Sequence, residues 1–440
     1  MNVSLSNGNN GNGHGWLARV QSLSILYISV FLTRIGFGTI LIIFPVYLLE
    51  HDSAGNLVPI SAALAGVVLA LYPALEGVTA LPVGAWVDRR GRRRAFLLGM
   101  ASITVLTLTI SFTRTNLILV GGAHALMGLS AAMVTISSLT MITDLTVVEN
   151  RGAGMGAFDL ANLSGYGVGI IFGAVAETVF QASLGTVFQI VAVVFALATA
   201  FMFLTLREPA HVFQGRKSLS EMFDNLTGEV SAIFPAWFSL TIIVGFYFFL
   251  PKLAERSGTT LANSATVITL GLVVLGAGAL FFGRLSDIIG RTRTIMLGAV
   301  GELGFLLLFP NLFDRLIAIP QGAAWQESLS VLGVTGIVAG GFFFLGSALI
   351  PSILAYVGDK AAKDFRGSAM GLYSLMLSAG IAIGNVLAGF AAELGGVQAV
   401  FYLGASIFTG LCLTTGILLR RSNHLASSAL DLAKAESKPL

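Results

Sequence analysis

Cysteine occurs once in the 440 residues, as Cys412. One thiol excludes an internal disulfide and supplies no metal cluster, so neither redox chemistry nor a bound metal is expected. Charge is scarce as well: Asp, Glu, Lys and Arg make up 11% of the chain, against 55% hydrophobic residues and a mean hydropathy of +0.86. No soluble core absorbs that much apolar surface, and the balance is that of a helical membrane protein. The chain also lacks a GxxxxGK[ST] loop, an HExxH helix and a Gly-Ser nucleophile turn. ATP hydrolysis and intramembrane enzyme chemistry are therefore not indicated, and no cofactor is expected.

What the chain does contain is long apolar runs. A helix needs about 20 apolar residues to cross the hydrocarbon, and about twelve stretches meet that length. Their extents are near 24–49, 60–87, 95–113, 117–143, 152–176, 184–206, 232–251, 262–286, 293–310, 328–356, 367–391 and 397–419. The polar opening MNVSLSNGNNGNGHG reads as a disordered tail over residues 1–22, and the apolar run behind it is too long for a cleaved signal peptide.

The basic residues follow the turns between spans. With the amino terminus in the cytoplasm, 20 of the 25 Lys and Arg fall on the cytoplasmic side. That excess orients the chain with both termini inside, at a plasma (inner) membrane, and accounts for the net charge of +3 without a nucleic-acid partner.

Two motif pairs expose a duplication. GAWVDRRGRRR at 84–94 is echoed by GRLSDIIGRTR at 283–293, and DLTVVENRGAGMG at 144–156 by DKAAKDFRGSAMG at 359–371. The offsets, 199 and 215, agree if the second half carries about 16 extra residues, for which the polar stretch 311–328 is the obvious place. The chain therefore reads as two six-span halves, 23–206 and 232–420, with a linker at 207–231 and a cytoplasmic tail at 421–440. Leu219, Met222, Phe223, Leu226 and Val230 recur in the linker at helical spacing, which predicts an amphipathic helix.

Physically, five arginines in 89–94 anchor a turn at anionic lipid headgroups, and the glycines permit a tight turn. Asp88 and Asp287 lie at helix ends, where a carboxylate can cap the exposed amides of a neighbouring helix. Ionisable groups inside spans cost several kcal/mol unless paired or hydrated, which makes Arg34, Glu76, His124, Asp159 and Glu302 candidates for function. Arg34 and Glu76 both fall near mid-depth. The expectation is that they pair, either permanently or through reversible protonation of Glu76. His124 could relay protons or be simply hydrogen-bonded, and Asp159 could face the cavity or an interface. Glu302 reads as structural.

Twelve spans in two repeats, with Gly84, Asp88, Arg89, Gly91, Arg92 and Arg93 between the second and third, resemble the major facilitator superfamily. The second copy keeps Gly283, Asp287, Gly290 and Arg291 but has Ile288 in place of Arg. The resemblance implies an all-α membrane protein of twelve transmembrane helices in two pseudo-symmetric six-helix bundles. It implies that Asp88 faces the start of the eleventh span near Gly367, that Asp287 faces the fifth near Gly152, and that Asp144 and Asp359 pair with motif arginines. Arg151 and Arg366 belong to the same gating set. His124 stands where the family usually has Arg.

The glycine spacing at Gly156, Gly165, Gly169 and Gly173 is similar to the family's antiporter motif, with Ile170 and Ala174 departing from it. Gly371, Gly380 and Gly384 repeat the spacing, so the expectation is close packing of the fifth and eleventh spans at the interface between halves. By the same resemblance the seventh and tenth spans line the cavity, which makes Trp237, Phe238, Tyr247 and Phe343 candidate substrate contacts. An aromatic pocket suits hydrophobic or amphipathic small molecules. The function expected is proton-coupled export by a monomer; uptake by proton symport is the alternative, and a non-transporting receptor or sensor is the alternative of another class.

Overall fold

The computed structural model describes residues 12–51, 56–145, 151–178, 180–208, 228–258, 261–319, 325–360 and 366–436. Most of the linker, 209–227, lies outside them, so its expected helix does too. The first six spans are single helices: Asn12–Tyr47, Ala62–Arg90, Arg92–Phe112, Leu117–Leu145, Arg151–Thr178 and Leu184–Thr205. The expected tail is thus helical from Asn12, because a helix nucleated by an apolar span propagates at little cost into flanking residues.

The second six are more broken. The seventh span is Gly228–Phe248 followed by Leu250–Arg256, and the tenth is Trp325–Gly346, which leaves helical geometry at Gly333, followed by Leu349–Lys360. The eighth and ninth are Leu261–Ile289 and Arg291–Ile317. The last helix, Arg366–Glu436, leaves helical geometry at Gly395 and Gly396, which divides it into the eleventh and twelfth spans. The ninth extends beyond the expected 310, so part of the inserted stretch prolongs a span rather than forming a loop. Pro310 does not stop it, and Phe309 and Phe313 on either side are buried.

A short antiparallel hairpin, Leu49–His51 with Leu57–Pro59, joins the first and second spans, with Glu50 opposite Val58. It marks one end of the molecule. The other end carries the two motif turns, where Gly91 and Gly290 adopt φ of 100° and 94°, a region that side chains with a Cβ avoid. Each bundle has its own aromatic core: Phe44, Tyr47, Phe96, Phe188 and Phe195 in the first, and Phe246, Phe249, Phe401 and Phe408 in the second. Large apolar side chains such as Ile118, Leu204 and Leu280 point outward, as a hydrocarbon solvent permits.

Glycines set the helix contacts. A Cβ on Gly165 would lie 2.6 Å from Arg34 Cβ and 2.7 Å from the Phe31 carbonyl, and one on Gly169 would strike the Ile35 carbonyl. Gly380 and Gly384 meet Thr241 and Ile242 in the same way. The repeated glycine face therefore packs the fifth span on the first and the eleventh on the seventh, inside each bundle. This corrects where these glycines point and not where the spans lie, since the fifth span still packs on the eighth and the eleventh on the second across the halves; small residues bring helices together wherever the partner is.

Between the bundles, a Cβ on Gly66 would lie 2.5 Å from the Asn385 carbonyl, and one on Gly77 3.0 Å from Ser378 Cβ. The second and eleventh spans are thus in close contact from mid-depth to the hairpin end. There Glu393 accepts hydrogen bonds from the Ala62 amide at 2.9 Å and from Arg256 at 2.7 Å. Those two bonds tie three spans together.

Candidate functional site

A cavity of about 420 Å³ lies between the bundles. The first span supplies Arg34, Phe37 and Phe44; the second Leu69, Tyr72 and Glu76; the fourth His124, Met127 and Thr135; and the fifth Asn162 and Tyr166. From the other bundle come Phe248 of the seventh span and Ser378, Ile381 and Asn385 of the eleventh. The walls are mostly aromatic and aliphatic, with a few polar groups.

Arg34 is the most constrained of these. Its Nε donates to Asn162 Oδ1 at 2.6 Å, and its terminal nitrogens donate to Tyr166 at 3.3 Å and to Thr135 at 3.2 Å. The guanidinium also lies 5.5 Å from the Phe37 ring centre and 5.4 Å from that of Tyr166. A planar cation with rigid donors fits such a mixed site better than an ammonium. Gly165 brings the first and fifth spans close enough for this network to form.

Glu76 lines the same cavity, yet it makes no ion pair among the described residues. The expected pairing of Arg34 and Glu76 is thus corrected to an electrostatic interaction within one cavity, without a direct salt bridge. Neutral partners from the fourth and fifth spans occupy the guanidinium, leaving the carboxyl group facing the cavity. His124 is 6% exposed and stacks on Phe44 with ring centres 4.0 Å apart. Tyr72 lies beside it at 5.5 Å. Gly128 brings this trio together, since any Cβ there would run into the Tyr72 carbonyl and lie 3.0 Å from the Glu76 amide.

The aromatic candidates of the second half do not line this cavity, with Phe248 the exception that sequence reading did not single out. Trp237 is buried, and Phe238 packs against the core. Tyr247 donates to Glu302 at 2.6 Å, and Phe343 packs at a tilt with its ring centre 4.6 Å from that of Phe305. Aromatic runs look alike in sequence whether they face core, lipid or cavity; here the core took them. The side chains of Asp159, Arg151 and Arg366 lie outside the described residues.

At the motif turns, Arg92 is 4% exposed and contacts Asp144 at 3.0 Å and Asp88 at 3.5 Å. Arg291 repeats this with Asp359, at 3.0 Å, and Asp287, but in a more exposed setting. Arg89 is exposed, as is Ile288 at 80%. Glu208, which sequence reading passed over, and the motif residue Arg93 complete the first turn. Glu208 caps the third span, accepting from the amides of Arg92 at 2.6 Å and Arg93 at 2.8 Å. Arg93 in turn donates to the Phe203 and Leu206 carbonyls, each at 2.6 Å. Each helix end therefore receives the charge that its dipole favours.

The profile of the Major Facilitator Superfamily matches residues 26–314 and again 264–439. The chain belongs to that superfamily. It is an integral, multi-pass membrane protein with the fold of small-molecule transporters. Among its relatives, Multidrug resistance protein 1 of Bacillus subtilis (strain 168) is 25% identical over 92% of this chain and 98% of its own. Multidrug resistance protein 2 of the same strain is 23% identical over 89% of this chain and 93% of its own. A crystal structure of a bacterial homolog to the human lysosomal transporter Spinster, in an inward-facing and unoccupied conformation, superposes with a TM-score of 0.62. That alignment has 16% identity and spans 92% of this chain and 97% of the other.

Proposed function

We propose that this superfamily member is a proton-coupled exporter of hydrophobic or amphipathic small molecules, working by alternating access. The observation that carries the reading is the cavity itself: aromatic walls from both bundles surround a carboxyl group, Glu76, that no cation bonds directly among the described residues, although Arg34 in the same cavity acts on it through space. A proton or a substrate can each satisfy that group, and competition between them couples the two fluxes. Arg34, already bonded to three neutral partners, stays charged throughout and keeps the cavity's electrostatics fixed. The names of the multidrug resistance relatives favour export over uptake.

In this reading residues 23–206 and 232–420 are the rocking units, and 207–231 links them. The motif turns and both termini face the cytoplasm of the inner membrane, with the exposed arginines Arg89, Arg90 and Arg94 held at anionic lipid. The bonds of Glu393 then close the outer side, and the Arg92 and Arg291 clusters brace the inner rim of each bundle. Reconstitution into vesicles as a monomer, with an imposed pH gradient, tests the assignment by following ethidium and lumenal pH together. Ethidium moving against the proton flow supports export, and movement with the protons supports symport. Lipophilic dyes that bind without any coupled flux would favour a receptor.

A further inference from the structure

The Tyr247–Glu302 pair has no part in that cavity. Glu302 is 3% exposed, in the middle of the ninth span, and the Tyr247 hydroxyl contacts its carboxyl at 2.6 Å. Around it stand rings rather than charges: Tyr247 lies 6.1 Å from Phe305, 6.2 Å from Phe343 and 6.3 Å from Phe401. Cys412 of the twelfth span is the other titratable group facing Glu302, and no cation from the eighth or tenth span reaches it among the described residues. An ionised carboxylate sealed in such a place loses far more hydration than one hydroxyl returns. A neutral acid in the same place would avoid that loss.

The carboxyl also touches the point where the tenth span breaks. A Cβ on Gly346 would lie 2.8 Å from Glu302 Oε2, and Gly346 ends one helix of that span, three residues before Leu349 begins the next. Gly301, next to Glu302, meets the Leu345 side chain and backbone at the same crossing. The absence of a side chain at Gly346 therefore makes the room in which the carboxyl sits. Any straightening or sliding of the tenth span changes that room.

We propose that Glu302 is a second proton-binding site, in the carboxy-terminal bundle. It holds its proton while the tenth span is broken after Gly346 as here and exchanges it when that break closes. The transport role rests on the proposed function, with Glu76 and Glu302 each moving one proton per cycle. The protonation itself does not.

Infrared spectra of the purified protein in lipid at neutral pH read the protonation directly. Glu302→Gln should remove the carbonyl band of a hydrogen-bonded carboxylic acid, and Tyr247→Phe should shift the same band to the position of a freer acid. Loss of ionised carboxylate bands in Glu302→Gln, or no shift in Tyr247→Phe, would overturn the inference. Ethidium accumulation in vesicles with the membrane potential clamped reads the exchange. Two protons per molecule support about a hundredfold accumulation per pH unit and one proton about tenfold, so Glu302→Gln should lose roughly tenfold per unit. Accumulation equal to wild type would overturn the exchange while leaving the role of Glu76 intact. If wild type accumulates nothing, the proposed function fails, and the infrared result still decides the state of Glu302.

Discussion

The Glu393 carboxylate accepts a hydrogen bond from the Ala62 amide at 2.9 Å, so a side chain of the eleventh span caps the first turn of the second. The same carboxylate holds Arg256 of the seventh span. The two bundles are thus fastened at the hairpin end by one acidic group, with the Gly66 and Gly389 contact behind it.

Removing that charge should loosen the hairpin end. The pair is partly exposed and the cap sits at a helix terminus, so together they contribute about 1 kcal/mol. Glu393→Gln should therefore raise the population open on that side about fivefold. Spin-label distances between the hairpin and the end of the eleventh span check this, and an unchanged distribution would show that the glycine contact alone keeps the end closed.

Two glycines of the fourth span give a matched pair. A Cβ at Gly128 meets the Tyr72 carbonyl, whereas one at Gly122 meets nothing within 4 Å. Gly128→Ala should cost about 1–3 kcal/mol and lower ethidium affinity by moving His124 away from Tyr72. Gly122→Ala should be neutral or slightly stabilising, as expected for alanine in a helix. Thermal unfolding in detergent compares the two.

The two motif turns should differ in worth. Arg92 is buried between Asp88 and Asp144, so Arg92→Gln leaves two carboxylates without their cation and should cost about 3 kcal/mol. Arg291 makes the equivalent contacts near solvent, and Arg291→Gln should cost about 1 kcal/mol or less. Chemical unfolding of the two variants side by side measures the difference.

Asn162 and Thr135 hold Arg34 through neutral bonds. Hydrogen bonds to a charged group contribute about 1.5–3 kcal/mol, so Arg34→Lys, which loses the planar fork, should reduce transport by at least about tenfold. Asn162→Ala should do less harm, since two of the three partners remain. Initial rates of ethidium transport in vesicles decide it.

These outcomes also mark where sequence was sufficient. Paired motifs at Gly84 and Gly283, and at Asp144 and Asp359, placed the charged turns and the two bundles, because charge and glycine at span ends leave few alternatives. Arg34, Glu76 and His124 stood out as polar groups in apolar helices, and all three line the cavity. Their partners did not stand out. Asn162, Thr135 and Tyr166 are ordinary polar residues, and the face each presents depends on helix contacts set by Gly128 and Gly165. The same limit hid Glu208 and Glu393, whose roles come from the helix ends that folding brings beside them. It also misassigned Trp237, Phe238, Tyr247 and Phe343, since nothing in an aromatic run distinguishes a cavity wall from a packed core.

The proposed coupling requires that Glu76 carry a proton that competes with substrate. It is tested most directly by ethidium accumulation in vesicles driven by an acidic interior, comparing wild type with Glu76→Gln. Wild type should concentrate ethidium as the lumen loses protons, while Glu76→Gln, which removes the one proton that competes with the dye and leaves any Glu302 proton uncoupled from it, should bind or equilibrate the dye without concentrating it. Uphill accumulation by Glu76→Gln, with the same proton movement as wild type, would contradict the account.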